Sequence, residues 1–185
     1  MRTTTRRMET TKHKGRWQSI QTSLRRSCTP TAWLDPLWSG WVRFQLSRPY
    51  PPPYPNESVG AFGERLAAVY LERKGYFILE RSFRTKTGEI DLIAVWKRRL
   101  LVFVEVKTGE RATPAGEGPS DRVDDRKQKK ITDTALRYMK QHRLFGTSGR
   151  ADVIEVVLEP EIGKGPTFRH FESAFQAAGQ FQMFS

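Results

Sequence analysis

The sequence is poor in the residues that form disulfides and bind soft metals. It contains one cysteine, Cys28, and three histidines that are far apart in the chain, His13, His142 and His170. A lone cysteine cannot form an intramolecular disulfide, and no Cys-x-x-Cys pair is present to bind zinc. We therefore predict no zinc or histidine metal centre, interpret the histidines as surface or packing residues, and expect a reducing, cytoplasmic location.

Long apolar runs and acidic residues are also scarce. No run approaches the roughly 20 apolar residues that span a bilayer, so no transmembrane segment is predicted. Twenty acidic residues face 32 basic ones, which gives a net charge of +12 and a pI near 10.2. Basic side chains gain affinity for polyanions by displacing counterions from phosphates. Nucleic acid is therefore the expected partner, ahead of an anionic membrane surface, and charge that serves only solubility is the alternative.

The N-terminal part differs in composition from the rest. Residues 1–58 hold ten Lys and Arg against three Asp and Glu, and they include Trp33, Trp38 and Trp41 around Pro36. We predict a basic, Trp/Arg-rich extension, disordered or partly helical, that suits a protein partner or stacking on bases; a non-native leader is the alternative. Consecutive prolines then favour an extended linker. The predicted divisions are the extension (1–48), the linker (49–57), one domain (58–176) and a tail (177–185).

Two apolar runs carry ionisable residues where strands are expected. Residues 88–95 include Asp91, and residues 100–107 include Glu105 and Lys107. Ionised groups are costly to bury unless they are paired, hydrogen-bonded or bound to a metal. Because side chains alternate along a strand, Glu105 and Lys107 project from one face. The short connection between the runs suits a hairpin, so Asp91 and Glu105 are expected on neighbouring strands of one sheet.

Two carboxylates and an ammonium in this arrangement are typical of a divalent-metal nuclease site. Mg²⁺ takes oxygen ligands, often one or two carboxylates plus substrate phosphate, and Asp91 and Glu105 fit that role. A metal held there can activate water and offset charge on a phosphodiester, and Lys107 can orient the water or stabilise the developing anion. The alternative is an internal salt bridge between Lys107 and either carboxylate, which needs no catalysis.

The first predicted helix carries a further acidic candidate. It covers residues 58–74, because apolar residues follow a helical stripe there and Gly75 suits its end. Glu64 lies off this stripe, on a face of small residues that could approach the sheet. The pattern alone is compatible with two interpretations, a site residue that supports a ligand or water and a solvated helix glutamate. Residues 76–83 then read as a first strand.

A loop and a second helix follow the charged strands. Residues 108–119 are rich in Gly and Pro, which predicts a mobile loop beside the site. The helix over about residues 121–143 has an apolar stripe that Lys127 extends toward the sheet. We interpret Lys127 as a phosphate or transition-state contact and its basic neighbours as nucleic-acid backbone contacts, with a solvated basic face as the alternative. These neighbours are Arg126, Lys129 and Lys130.

The remaining elements define the fold class. Residues 152–158 read as a β-branched strand, and residues 168–175 suit an edge strand. Strands and helices in this order indicate an α/β fold with a mixed central sheet flanked by helices. Asp152 beside Arg150 is interpreted as a structural ion pair.

Five motifs, in order, resemble the YraN family of uncharacterised bacterial proteins. They are Gly63-Glu64, Gly88 to Asp91, Phe103 to Lys107, Arg126 to Ile131 and Arg150 to Val153, within a match over about residues 59–175. The family looks like the PD-(D/E)xK, restriction-endonuclease-like superfamily, most of all the archaeal Holliday junction resolvases. The resemblance implies an αβββαβ core, Mg²⁺ dependence and a nucleic-acid substrate. It also implies that Asp91 is the motif aspartate, that Glu105 and Lys107 are the (D/E)xK pair, and that Glu64 is the first-helix glutamate.

The sequence thus predicts an endonuclease that uses Mg²⁺ or Mn²⁺ to hydrolyse phosphodiester bonds in DNA, branched or flapped structures included, by direct water attack. The predicted catalytic residues are Glu64, Asp91, Glu105 and Lys107. No base-reading motif is visible, so recognition of shape or backbone is expected, and RNA stays open as a substrate. A homodimer is compatible with this prediction. The alternative function is a non-catalytic nucleic-acid-binding or scaffold protein whose ion trio is structural or vestigial.

Overall fold

The computed structural model describes residues 49–97, 99–109, 123–158 and 165–175. The predicted extension, most of the predicted loop over residues 108–119 and the predicted tail lie outside these residues. The described helices and strands are, in chain order, α1 (Val59–Arg73), β1 (Phe77–Arg84), β2 (Glu89–Trp96), β3 (Leu100–Gly109), α2 (Asp125–Gln141), β4 (Gly149–Val157) and β5 (Thr167–Phe175).

The five strands form one mixed sheet in the spatial order β1-β2-β3-β4-β5. β3 and β4 run parallel, and the other neighbouring pairs are antiparallel. A parallel pair needs a crossover connection, and α2 lies in the crossover between β3 and β4. The described chain therefore follows the αβββαβ order and ends with the edge strand β5, which confirms the predicted α/β class and mixed sheet.

The two faces of the sheet are covered by different helices. The α2 face carries Ile93, Phe103 and Val153, and the α1 face carries Leu92, Val104 and Ile154. Because side chains alternate along each strand, Asp91, Glu105 and Lys107 belong to the α2 face. The charged trio therefore continues the row of side chains that forms the core beneath α2.

Side-chain caps determine where both helices begin. Ser58 caps α1 by accepting a hydrogen bond from the Ala61 amide, and Gly75, with a φ of 85°, follows its end. Asp124 caps α2 by accepting a hydrogen bond from the Lys127 amide at 2.6 Å. An N-cap residue has a non-helical backbone, so α2 begins at Asp125, about four residues later than predicted.

Gly63 brings α1 into direct contact with β3. A Cβ atom added at Gly63 would lie 1.7 Å from Thr108 Oγ1 and 2.7 Å from Thr108 Cβ. Only a residue without a side chain fits at this distance. Because Thr108 follows Lys107 and Glu64 follows Gly63, this contact brings the α1 glutamate to the end of β3 that carries the charged trio.

The Pro-rich segment packs against the domain at several points. The Tyr50 ring lies 5.0 Å from the Phe168 ring, and the Arg73 guanidinium lies 3.8 Å from the Tyr50 ring centroid. Arg65 donates a hydrogen bond to the Pro52 carbonyl and forms an ion pair with Glu57 at 2.6 Å. The division of the chain into an extension, a linker, one domain and a tail stays a prediction.

Candidate metal and phosphodiester site

The strands β2 and β3 separate where the two carboxylates lie. Their antiparallel pairing ends with Leu92 opposite Val104, so Asp91 and Glu105 adjoin the last pair. In place of a ladder hydrogen bond, Asp91 Oδ2 accepts one from the backbone amide of Val106 at 2.7 Å. This bond holds the Asp91 side chain against β3. Asp91 on β2 and Glu105 on β3 therefore lie on neighbouring strands, as the hairpin prediction expected.

Glu105 is buried, and its two oxygens have different surroundings. Its side chain is 4% exposed; Oε1 accepts a hydrogen bond from Lys107 Nζ at 2.9 Å and forms an ion pair with Lys127 Nζ at 3.2 Å. Oε2 is buried and has no hydrogen-bond partner among the described residues. A buried acceptor without a partner costs about 1–3 kcal/mol, and more when it is charged. One oxygen is therefore shared by two ammonium groups, while the other still needs a partner.

Asp91 lies in surroundings that disfavour its charged form. Burial raises its pKa from 3.8 to about 7, and the nearby negative charge of Glu105 acts in the same direction. The Val106 amide lowers the pKa, Glu64 raises it, and Lys127 lowers it. At neutral pH, Asp91 is therefore only partly ionised, and a cation bound beside it would favour its charged form.

Glu64 acts on Asp91 through its charge. Its own Oε2 accepts a hydrogen bond from the Ser82 hydroxyl at 3.0 Å, and Ser82 has a φ of 50°. Among the residues that the structure describes, no group of three or more His, Cys, Asp and Glu side chains is arranged to hold a metal ion. Glu64 therefore lies near Asp91 without completing a three-carboxylate ligand set with it and Glu105.

The four basic residues predicted on the second helix divide into two pairs. Lys127 and Lys130 line a cleft of about 370 Å³ between α2 and the turn that joins β1 to β2. Arg126 and Lys129 are exposed on α2 and do not line this cleft. Only Lys127 also contacts a member of the trio, through Glu105.

Several groups at the site were not predicted from the sequence. They are the Ser82 hydroxyl, the Val106 amide and the cations Arg84 and Lys86 on the β1–β2 turn. The amide could have been inferred from the separation of the two strands. The turn carries a signal in its run of Thr-Lys-Thr-Gly, which follows Arg84, but its approach to α2 depends on the tertiary fold.

A second buried acidic cluster lies on the α1 face of the same sheet. Asp152 has no exposed surface, and both of its oxygens lie within 3.1 Å of the Arg150 guanidinium. The same carboxylate accepts a hydrogen bond from the Ser173 amide and lies 2.9 Å from His170 Nε2. The predicted ion pair of Arg150 and Asp152 is therefore present, with further partners on β5.

The donor set of Asp91 and Glu105 fits a hard divalent cation. Mg²⁺ is held in proteins by one or two carboxylates together with water and substrate phosphate, so a third protein carboxylate is not required. The bare Glu105 Oε2 and the raised pKa of Asp91 are the two features that such a cation would relieve. The observed contact of Lys107 with Glu105 also matches the alternative of an internal salt bridge.

Comparison with known proteins identifies the family. The profile of the Uncharacterised protein family UPF0102 matches residues 63–156. A UPF0102 protein of Rhodopirellula baltica is 46% identical over 125 residues, which cover 67% of this chain and 74% of that protein. A UPF0102 protein of Trichlorobacter lovleyi is 42% identical over 123 residues, which cover 66% of this chain and 94% of that protein. A UPF0102 protein of Caldanaerobacter subterraneus is 45% identical over 121 residues, which cover 65% of this chain and 96% of that protein. The chain therefore belongs to UPF0102, which is the YraN family that its motifs resemble.

Proposed function

We propose that this UPF0102 protein is a Mg²⁺- or Mn²⁺-dependent endonuclease of the restriction-endonuclease-like type that hydrolyses phosphodiester bonds in DNA, including branched or flapped DNA. One observation carries the proposal. Asp91 and Glu105 lie on adjacent strands with a raised Asp91 pKa and a buried, partnerless Glu105 Oε2, next to two lysines. A purely structural ion trio has no need for the bare oxygen.

Each of the four candidate catalytic residues has its own role in the proposed reaction. Asp91 and Glu105 would hold the cation, which when bound supplies a Lewis acid for the phosphate and a more acidic water. Lys107, with 43% of its side chain exposed, can donate hydrogen bonds to the attacking water or to a phosphate oxygen. The water oxygen forms a bond to phosphorus and gives up a proton to solvent, the bond to the leaving oxygen breaks, and that oxygen takes a proton from solvent. Glu64 adds negative charge beside Asp91 and supports the ligand or the water.

The positive charge of the chain supports action on nucleic acid. The chain carries a net charge of +12, and Lys127 and Lys130 border the site along α2. No helix in the described part of the chain combines the length and apolarity that crossing a membrane requires. We propose a cytoplasmic location on the grounds of the lone cysteine, and DNA ahead of RNA as the substrate. A homodimer and a protein partner for the extension remain proposals of the same kind.

A non-catalytic nucleic-acid-binding protein with a vestigial site is the second candidate. One observation favours it, because Glu105 Oε1 is already paired with the ammonium groups of Lys107 and Lys127. In that case, Lys107 and Lys127 serve to neutralise a buried carboxylate, and nucleic acid binds to the basic surface without being cut.

A cleavage assay separates the two functions. The full chain is incubated with branched, flapped, single-stranded and duplex DNA, and with RNA, in the presence of Mg²⁺ or Mn²⁺. We expect metal-dependent cleavage that falls by about 100-fold or more in Asp91→Asn and Lys107→Ala. Lys140→Ala, which removes one positive charge at the far end of α2, is the matched control and should cut normally. If no substrate is cut and metal leaves the thermal stability unchanged, the nuclease proposal fails and the binding function stands.

A further inference from the structure

The cleft between the β1–β2 turn and α2 is strongly basic. Arg84 and Lys86 contribute from the turn, and Lys127 and Lys130 contribute from the helix. Among the described residues that line it, one is acidic: Glu89, which forms an exposed ion pair with Arg84 at 3.1 Å. Such exposed pairs contribute little energy, so the ion pair leaves most of the cationic character of the cleft available to an anion.

The turn that forms one wall of the cleft is held in a defined shape. The Thr85 amide donates a hydrogen bond to the Gly88 carbonyl at 2.8 Å. The Thr85 hydroxyl lies 2.9 Å from the Thr87 hydroxyl and accepts a hydrogen bond from the Thr87 amide at 3.2 Å. These bonds position two hydroxyl groups and Lys86 at the cleft before any ligand arrives, which lowers the entropic cost of binding.

The same turn packs directly on α2. A Cβ atom added at Gly88 would lie 3.1 Å from Thr134 Oγ1 and 3.3 Å from Lys130 Cβ. The separation of the two walls is therefore set by van der Waals contact between the turn and the helix. A rigid cleft with cations on both walls can surround a small anion.

Lys127 connects this cleft to the charged trio. It lines the cleft, and its Nζ atom lies 3.2 Å from Glu105 Oε1. One side chain thus borders both the position where a phosphodiester would react and the position where a second anion would bind. A nucleic-acid strand that passes Lys127 would therefore meet both the reaction position and the second anion position.

We propose that this cleft binds a backbone phosphate of the nucleic-acid strand that occupies the site, next to the phosphate that is cut. The inference rests on the proposed function and adds how the strand is held. The described lining contains ammonium and guanidinium donors and no aromatic ring on which a base could stack. The cleft therefore recognises the backbone and does not read the bases.

The test measures binding separately from cleavage. Anisotropy of a labelled single-stranded oligonucleotide is followed with the full chain in chelator, across a salt series, for wild type, Lys86→Ala, Lys130→Ala and the double variant. We expect each single variant to bind about 3- to 10-fold more weakly, with a salt slope shallower by about 0.7 per lost phosphate contact. Lys140→Ala is the matched control, since it removes the same charge from the same helix about 15 Å away along the axis.

A second measurement identifies the ligand as a backbone phosphate. A single neutral methylphosphonate is moved along the oligonucleotide, and at one position it should weaken the wild type while leaving the double variant unchanged. The cleft proposal is overturned if Lys86→Ala and Lys130→Ala lose no more affinity than Lys140→Ala, or if a mononucleotide competes at stoichiometric concentration. These outcomes do not depend on cleavage, so an inactive protein whose cleft variants lose affinity would contradict only the nuclease proposal.

Discussion

The sheet buries an acidic cluster on each face, and the two clusters are paired to different extents. On the α1 face, both oxygens of Asp152 lie against Arg150, and they are also contacted by the Ser173 amide and His170. On the α2 face, Asp91 has one strong hydrogen bond, and Glu105 has one oxygen with two lysines and one with no partner among the described residues.

This difference shows how a structural ion cluster can be told from a candidate site. A buried charge in a structural role is surrounded by enough donors to compensate for lost hydration, as Asp152 is. Glu105 is buried and Asp91 is half-buried; the two have fewer donors than Asp152, and a third carboxylate, Glu64, lies near Asp91. In the nuclease proposal, a bound cation is the partner of Glu105 Oε2.

Removing a partner of Asp152 on the α1 face should have the largest effect on stability. Arg150→Met leaves Asp152 buried without its main cation, and removal of one partner of a buried pair typically costs about 3–5 kcal/mol. The measurement is the free energy of unfolding by urea at neutral pH. Lys127→Met is the matched variant in the other cluster and should cost less than about 1 kcal/mol, because Lys107 still neutralises Glu105. Equal losses in the two variants would contradict the proposed difference between the clusters.

Gly63→Ala should separate the site from its supporting helix. The new methyl group would collide with both Oγ1 and Cβ of Thr108, so rotation of that side chain does not relieve the contact. We expect a loss of about 3 kcal/mol in the free energy of unfolding and a weaker metal response, because α1 moves Glu64 away from Asp91. Gly60→Ala is the control on the same helix: nothing lies within 4 Å of its added Cβ, and the gain in helix propensity should make it neutral or stabilising. If Gly63→Ala matches Gly60→Ala, the close contact does not position the helix.

The parts of the site that the sequence predicts are those fixed by local geometry. Strand alternation and the short hairpin are enough to bring Asp91 and Glu105 onto adjacent strands, and helical periodicity is enough to direct Lys127 toward the sheet. The predicted start of α2 was wrong. Asp121, Asp124 and Asp125 are equally suited to cap a helix, and the sequence does not distinguish among them. Asp124 is the residue whose side chain accepts a hydrogen bond from the Lys127 amide.

The parts that the sequence does not predict depend on distant elements meeting. The partnerless Glu105 Oε2 is a consequence of which donors fail to reach it, and no local pattern records that. The contact of Ser82 with Glu64 joins β1 to α1 and uses a positive φ that serine rarely adopts. The basic cleft arises only where the β1–β2 turn meets α2, although each of its cations is visible in the sequence.

Asp91→Asn and Asp152→Asn should change the free energy of unfolding in opposite directions. The pKa of Asp91 is raised to about 7 in the folded chain, so ionisation costs stability there, and that cost grows as pH rises from about 4 to about 7. Asp91→Asn keeps an oxygen for the Val106 amide and should stabilise the metal-free protein by roughly 1–3 kcal/mol at pH 8, with no gain near pH 4. Asp152→Asn should destabilise at pH 8, because it removes the charge that Arg150 needs. Urea unfolding in chelator at both pH values gives the two differences, and a destabilising Asp91→Asn at pH 8 would show that its carboxylate is already compensated.

Added Mg²⁺ should produce the smallest effect and the most specific one. A cation that binds only the folded chain raises the free energy of unfolding by about 1.4 kcal/mol at ten times its dissociation constant, which a thermal melt can resolve. The increase is expected because the cation supplies the positive charge that Asp91 and Glu105 lack, and chelator should reverse it. Asp91→Asn should abolish the response, whereas Lys140→Ala, which changes a charge far from the site, should keep it. A response of equal size in Asp91→Asn would mean that the cation binds elsewhere, and the unfilled Glu105 oxygen would then be a feature of a vestigial site.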